Sequence, residues 1–557
     1  MKENGQIRKK SVKETFGWLM LGIGVLMLIN SLRLCFCNDI WYDELFTVGM
    51  AEHSYGELIS FTARDVHPPF YYSIVKFILD LCKLIFPSAD DIIVIKCVSV
   101  LPYFLLFFYA LFFVRRRFGI FAAGAFYFCI LSMPQMSAYT VEMRMYGWAL
   151  FFVTAAFFHA CAIMDAEGAG RLITGNFRVK KTAYFFTFRR NGHFAALFFY
   201  GLAAAYTQYF ACVAVVTVYG FLLIRFLVRY GRSGKQDQNA LRALKSWLVC
   251  VGMSVLAYLP WLFVLIRQVT AVRENYWILP LTWRSLGGCV KFLMKPAFSK
   301  EWINVLFAVL FFVVYIGLIV WYGIRSGQKR KGSGEDGTEG GGNRRHVVRF
   351  RCALAGCFVL CGLTGFGFAA SILVRPVFVY RYMLPAMGCF WFCPVLCLDA
   401  LWDEDRKLKP LCFLLCAMFL IAGIRDYRAF LGEEEYKAVL MKETEEAISA
   451  IAQEDIILYN FDQLQAVMGY YLEQENYLWN AEPETLVSEM FGNKGSIEGT
   501  EQIGQWLDEG RTVWFFGSFN SREDICLEWA EEGIRTKEEG SYMLERYWFN
   551  IYSVFNP

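Results

Sequence analysis

The chain has 557 residues, of which 57% are hydrophobic, 18% aromatic and only 19% charged, with a mean hydropathy of +0.37. That composition excludes an ordinary soluble protein of this size, and repeated apolar stretches of about 18–25 residues make it a polytopic helical membrane protein. The net charge of +4 divides unevenly: Leu431 to Pro557 holds 26 acidic and 8 basic residues, a net of −18, which leaves +22 on the remainder. The positive charge sits in short loops between spans rather than on one soluble face, which argues against a nucleic-acid partner. Most of the 18 cysteines lie within apolar runs such as CVSVL and LLCAM, so buried thiols are expected rather than a disulfide framework, and no Cys/His spacing suits zinc.

The N-terminus is basic and then apolar from Phe16 to Cys37. No A-x-A-like cleavage site follows, so an uncleaved first span is expected rather than a signal peptide. Further spans are expected near 91–114, 119–138, 145–164, 194–209, 210–228, 246–266, 302–324, 352–374, 383–401 and 411–428, about eleven in all. The basic loops GRLITGNFRVKK, RFLVRYGRSGK, RSGQKRKGSGEDGTEGGGNRRHVVRFR and DEDRKLK then share a side with the N-terminus, and by the positive-inside rule that side is cytoplasmic. The acidic tail falls outside.

Residues 73–86 would make a further span, which would move Arg115, Arg116 and Arg117 outside. Lys76, Asp80 and Lys83 form a polar stripe on this stretch, so an amphipathic helix in the outer interface is the preferred reading, with an extra span as the alternative. Residues 38–90 are then one external loop within a membrane domain 1–430. GSGEDGTEGGG, 332–342, reads as a flexible cytoplasmic linker. From 431 to 557 the pattern alternates: EDIILYN, NYLWN, TVWFFGS and YWFNIYSVF read as strands, DQLQAVMGYYLE and REDICLEWAEEG as helices. This is a small extracytoplasmic α/β domain with no phosphate-loop, GxGxxG or GxSxG motif.

Four polar clusters fall on the outer side. WYDEL places Asp43 and Glu44 directly after the first span, where a solvated helix cap is the plain alternative to a partly desolvated base. RDVHPPFYY carries Asp65, His67, Tyr71 and Tyr72; an aromatic anchor with a helix-starting proline explains the prolines and tyrosines but not Asp65 and His67. YTVEMRMYG brings Glu142, Arg144 and Tyr146, which alone could be a surface ion pair. RPVFVYRYMLP sets Arg375 and Arg381 among aromatics, suited to a phosphate headgroup or to snorkelling at ordinary lipid. A fifth, weaker feature is the basic external loop 267–300, with Arg267, Arg273, Arg284, Lys291 and Lys295 beside Tyr276 and Trp277.

In this order the motifs resemble the GT-C membrane glycosyltransferases of the protein O-mannosyltransferase and aminoarabinose-transferase type (glycosyltransferase family 39-like). The correspondences are Asp43-Glu44, Asp65 in DVHPPFYY, Glu142, Arg144 and Tyr146, the YTQYF hairpin with Gln208 and Tyr209, and Pro376, Phe378, Arg381 and Tyr382. They cover about 16–428 and leave the tail unaccounted for. The resemblance implies transfer of a sugar from a polyprenyl-phosphate donor to an acceptor hydroxyl of a glycan, lipid or protein, with inversion expected from a single-base mechanism. Asp43 would be the base and Glu44 its support. Asp65, His67, Tyr71, Glu142, Arg144, Tyr146, Gln208, Tyr209, Arg375, Arg381 and Tyr382 would bind donor or acceptor. Relatives often have His where this chain has Gln208, a poor metal ligand; no cofactor is assigned, although Asp65 and His67 could hold a divalent metal. The competing classes are a flippase or transporter of polyprenyl-linked lipids and a glycan polymerase or ligase.

Overall fold

A computed structural model of the protein describes residues 12–37, 40–169, 180–233, 238–272, 278–332, 341–404, 406–492 and 495–557. Apolar runs become helices because a bilayer offers the backbone no water, so each peptide group must be satisfied within its own segment. The bundle begins with α1 (Val12–Leu34), three short helices α2 (Tyr42–Glu52), α3 (Tyr55–Arg64) and α4 (Phe70–Ile85), and then α5 (Asp91–Phe108). A π-helical turn, Tyr109–Val114, joins α5 to the four-residue α6 (Arg115–Phe118). Next come α7 (Ile120–Ser132), α8 (Tyr146–Ala169), α9 (Lys180–Thr207), α10 (Tyr209–Ser233) and α11 (Gln238–Val272). The bundle ends with α12 (Arg284–Met294), α13 (Glu301–Gly332), α14 (Gly341–Leu373), α15 (Leu384–Glu404) and α16 (Lys409–Ile448).

Among the described residues nine helices are long and apolar enough to cross a membrane: α1, α5 continued by α6, α8, α10, α11, α13, α14, α15 and α16. They coincide with nine of the eleven expected spans, and the chain is a multi-pass membrane protein. The run expected at 119–138 is shorter than foreseen. Helix α7 ends at Ser132, since Pro134 disfavours a helical Met133 and lacks an N–H, and Gln135 turns the chain with a φ of 65°. The run expected at 194–209 is the C-terminal half of α9. Most of the glycine-rich linker and the RENYW stretch of the loop 267–300 lie outside the described residues.

Helices α8 and α15 form the centre of the bundle, with 94% and 100% of their apolar windows buried, whereas α11, at 11%, runs along the perimeter. Small residues allow the tightest crossing. At Gly17 on α1 and Gly124 on α7 the backbones touch, so that a Cβ on Gly124 would stand 1.8 Å from the Gly17 carbonyl oxygen. Helix α4 covers 70–85, is 16 residues long and is not among the nine. It buries Tyr71, Tyr72, Val75 and Leu79 and leaves Phe77, Leu81, Leu84 and Ile85 exposed beside the Lys76–Asp80 pair.

Helix α16 is 40 residues long, roughly 60 Å at the α-helical rise, and runs without a break past Leu431 into the tail. The tail contains β1 (Ile456–Tyr459), α17 (Asp462–Tyr471), β2 (Glu475–Trp479), α18 (Thr485–Phe491), β3 (Gly495–Ile497) and α19 (Glu501–Asp508). It ends with β4 (Val513–Gly517), α20 (Ser521–Glu531), β5 (Arg535–Leu544) and β6 (Tyr547–Phe555). The sheet order is β3-β2-β1-β4-β6-β5; the first four strands are parallel, and β6 is antiparallel to both β4 and β5. Strand periodicity divides the core. Ile456, Leu458, Val513 and Phe515 pack with Trp529 on one face, while Ile457, Tyr459 and Phe516 on the other join the core of the bundle. The sheet is therefore seated on one end of the bundle.

Candidate active site

That end of the bundle carries the polar clusters, and the first of them is shaped by the start of α2. Glu44 accepts hydrogen bonds from the Trp41 N–H at 3.3 Å and from the Met143 N–H at 2.7 Å. It is 4% exposed, and burial pushes its carboxyl up to about 8. Successive side chains on a helix diverge by about 100°. Asp43 therefore points elsewhere. Its Oδ2 lies 3.5 Å from Arg381 Nη1 and 3.9 Å from Arg144 Nη2, and its backbone carbonyl accepts from Arg144 Nη1 at 2.7 Å.

Arg144 extends the string. Its Nη2 is 3.4 Å from His67 Nε2, and His67 Nδ1 is 2.8 Å from Asp65 Oδ2. A guanidinium can only donate, so Nε2 accepts and Nδ1 carries the proton given to Asp65. Burial alone would raise the Asp65 carboxyl, but His67, the Val66 N–H and Arg144 together outweigh this and hold it below its ordinary value. Tyr146 lies beneath Arg381, whose guanidinium carbon is 5.9 Å from the ring centroid. Asp65, His67, Arg144, Asp43 and Arg381 are thus one connected chain of charges and hydrogen bonds.

Beside it opens a cavity of about 370 Å³, lined by His67, Gln208, Tyr209, Arg375 and Tyr382 at its polar positions and by Phe210, Val213, Leu265, Phe366 and Val374 elsewhere. Gln208 occupies the break between α9 and α10. Phe210 stacks on Tyr382 with ring centroids 4.7 Å apart. The cavity is mostly apolar and joins a string with two arginines, which suits a ligand with a greasy body and an anionic head.

The whole chain aligns with the crystal structure of ArnT from Cupriavidus metallidurans in the apo state, at a TM-score of 0.53 and 12% identity, covering 98% of each chain. The crystal structure of ArnT bound to undecaprenyl phosphate aligns at 0.52 and 13% identity, covering 97% of this chain and 98% of that one. The chain has the GT-C fold. The archaeal oligosaccharyltransferase AglB from Archaeoglobus fulgidus aligns more weakly, at 0.44 and 12% identity, over 82% of this chain and 64% of that one. No family model matches the sequence, and no curated protein sequence matches it either.

Within this GT-C fold three of the sequence candidates stand away from both the string and the cavity: Glu44, Tyr71 and Glu142. Tyr71 is fully buried, packed edge-on against Tyr72 with centroids 5.1 Å apart, and supports the site from beneath. Glu142 does not point with Arg144 and Tyr146, because the Arg144 N–H donates to the Glu142 carbonyl at 2.7 Å and this tight turn breaks the extended alternation. Its carboxylate lies 4.0 Å from Arg546 of the tail, and burial raises its pKa above the usual value. Asp65 and His67 do not suit a metal: they are engaged with each other, and the second ring nitrogen of His67 accepts from the fixed charge of Arg144. Among the described residues no group of three or more His, Cys, Asp and Glu side chains is placed to hold a metal ion.

Sequence reasoning missed Gln268. On α11 its amide is buried; Oε1 accepts from the Tyr209 hydroxyl, and Nε2 donates to the Thr62 carbonyl at 2.8 Å and to that of Asp65. It ties the cavity wall to the Asp65 loop. It lies two residues past the expected span 246–266, beside Arg267, and nothing in that setting marked it. The tail residues Glu484, Arg546 and Tyr547, which reach Trp41 and Tyr42, carried no motif at all.

Proposed function

We propose that the protein is a membrane glycosyltransferase that moves a sugar from a polyprenyl-phosphate carrier to an acceptor hydroxyl at the outer face of the membrane. The observation that carries this reading is Asp43 lying between Arg144 and Arg381, next to a cavity with an apolar body. The fold shared with ArnT, one of whose crystal structures holds undecaprenyl phosphate, supports the same class of donor. The basic loops between the spans support a cytoplasmic N-terminus and an extracytoplasmic tail. The bare apolar edge of α4 beside its Lys–Asp pair supports a helix lying in the outer interface, in a loop 38–90 of the membrane domain 1–430, with 431–557 as the outer domain.

In this mechanism the prenyl chain lies along Phe210, Leu265 and Phe366, and the phosphate meets Arg381 and Arg144, with Arg375 on the same wall. A phosphate competes with Asp43 for the guanidiniums, so donor binding releases the carboxylate to act as a base. Asp43 takes the proton of the acceptor hydroxyl as its oxygen attacks the anomeric carbon. The bond from that carbon to the phosphate oxygen breaks, and its electron pair leaves on the polyprenyl phosphate, stabilised by the arginines. One displacement from the face opposite the leaving group inverts the anomeric centre. Glu44 fixes the helix start that aims Asp43, while His67, oriented by Asp65, and Gln208, Tyr209 and Tyr382 line the donor and acceptor space.

The test is release of free polyprenyl phosphate by the purified protein from a panel of polyprenyl-phosphate sugars. Asp43→Asn is expected to reduce turnover by about 100- to 10,000-fold, the range of general-base help, with donor binding retained. Near-normal turnover by that variant would remove Asp43 from the role of base.

A further inference from the structure

The tail domain packs on α2 and α3 at several points, with Tyr470 on Glu52, Met490 and Phe491 on Gly49 and Glu489 on Arg64, and a separate set of its contacts falls on the two residues just before Asp43. Arg546 and Glu545 form the two-residue turn between β5 and β6. The Arg546 guanidinium carbon lies 3.8 Å from the centroid of the Trp41 ring, and its Nη2 is 4.0 Å from Glu142 Oε1. Tyr547, the first residue of β6, accepts the Tyr42 N–H on its hydroxyl at 3.1 Å and donates that hydroxyl to Gln463 at 3.2 Å. The Tyr42 hydroxyl in turn donates to Glu484.

The turn itself is held. Glu545 adopts a φ of 49°, a left-handed conformation in which glycine would be the easier residue, and its Oε2 pairs with Lys437 of α16 at 3.1 Å. Lys437 also pairs with Glu434 at 2.9 Å. A rigid extension of the last bundle helix therefore anchors the turn. Trp41 and Tyr42 are gripped from the tail, and Glu44 from the Met143 backbone. Asp43 is the residue between these two grips, and its side chain is left to the arginines.

We propose that the turn Glu545-Arg546-Tyr547 belongs to the catalytic centre as a positioning device, in which Arg546 and Tyr547 of the tail set the orientation of Asp43. This rests on the reading of Asp43 as the base. Contacts such as Arg64–Glu489 and Glu52–Tyr470 already dock the tail on the bundle, and they do not account for a second set that holds Trp41 and Tyr42, the two residues before the acid. Misplacing a catalytic group by about 1 Å can cost about 100-fold in rate. The device also makes an intact tail a condition of turnover, although no residue of the turn needs to touch the sugar.

The experiment compares the full-length wild type with Arg546→Ala, Arg546→Lys, Tyr547→Phe and, as a docking control, Glu489→Gln. The control breaks the tail-to-bundle pair Arg64–Glu489 at 2.7 Å, away from Trp41 and Tyr42. Two readouts are taken: kcat and KM for polyprenyl phosphate release, and hydrogen–deuterium exchange of the peptide spanning Ile40–Leu45. Arg546→Ala is expected to lower kcat about tenfold or more with donor KM within about twofold, and Arg546→Lys to recover much of the loss. Tyr547→Phe is expected to speed exchange of the Tyr42 amide, while peptides of β1 and α8 stay unchanged and Glu489→Gln behaves as wild type.

Faster exchange at 40–45 with unchanged kcat would overturn the proposal, since the grip would then serve docking alone. Unchanged exchange in both Arg546→Ala and Tyr547→Phe would overturn it as well. If the wild type releases no polyprenyl phosphate from any donor, the glycosyltransferase reading fails, while the exchange data still decide whether the turn holds the Asp43 segment.

Discussion

Two acids in this protein each face two cations, at opposite ends of the bundle, and the difference between them separates a fastening from a candidate working site. Asp399, on α15, pairs with Lys13 at 2.7 Å and with Arg349 at 2.5 Å, and its side chain is 2% exposed. Asp43 stands 3.5 Å and 3.9 Å from its two arginines and is 25% exposed, beside a cavity. Each is one acid with two cations, but the first triad is closed and the second is loose enough for another anion to enter. Buried, closed triads hold helices together; loose ones next to a cavity can exchange partners during a reaction.

The comparison is tested most severely by the matched pair Asp43→Asn and Asp399→Ala. Asp43→Asn is expected to abolish most turnover with the thermal transition retained. Asp399→Ala is expected to lose about 3–5 kcal/mol of stability, because two cations are left without their buried partner, and thermal unfolding in a bilayer mimic checks it. Stability loss in the first variant or normal stability in the second would erase the distinction. Arg381→Ala comes next: losing one charge-assisted contact to phosphate, worth about 1.5–3 kcal/mol, is expected to raise the apparent donor KM by about 10- to 100-fold. An unchanged KM would take Arg381 out of donor binding.

A smaller effect is expected from Glu44, which distinguishes the two neighbours within the acid pair. Its folded pKa of about 8 lies above the ordinary 4.5, so the folded state holds a proton that the unfolded state has released. Stability is then greatest below about 4.5 and falls as pH rises towards 8. Glu44→Gln is expected to flatten that slope, as read from thermal unfolding across the interval; an unaltered slope would place the titration elsewhere. The smallest effect is expected at Arg33–Glu435, an ion pair with side chains 56% and 59% exposed. Glu435→Gln should leave both turnover and melting temperature unchanged.

Much of the bundle was legible because a bilayer imposes length and hydropathy on each span independently of its neighbours. The same held for the tail strands EDIILYN, TVWFFGS and YWFNIYSVF, whose apolar runs cover β1, β4 and β6. The weaker elements α18, β3, α19 and β5 were not legible, being short or largely exposed, so that no apolar run marks them. At the site, Asp43, Asp65, His67, Arg144 and Arg381 could be singled out as polar groups at the ends of apolar runs. The direction in which Glu142 points was not legible, because a turn stabilised by one backbone hydrogen bond has no side-chain signature.

By itself the sequence determined that the chain crosses a membrane many times, that its tail is a small acidic α/β unit, and which polar residues gather near the span ends. These follow from local hydropathy and charge, which any stretch of chain carries without reference to the rest. Only the tertiary structure decided that Asp43 faces the arginines while Glu44 turns inward, that Gln268 bridges the cavity wall to the Asp65 loop, and that the tail reaches Trp41 and Tyr42 beside Asp43. The Tyr42–Tyr547 contact joins residues 505 positions apart. Contacts at such separation arise from how helices and sheet pack together, and no local pattern encodes them.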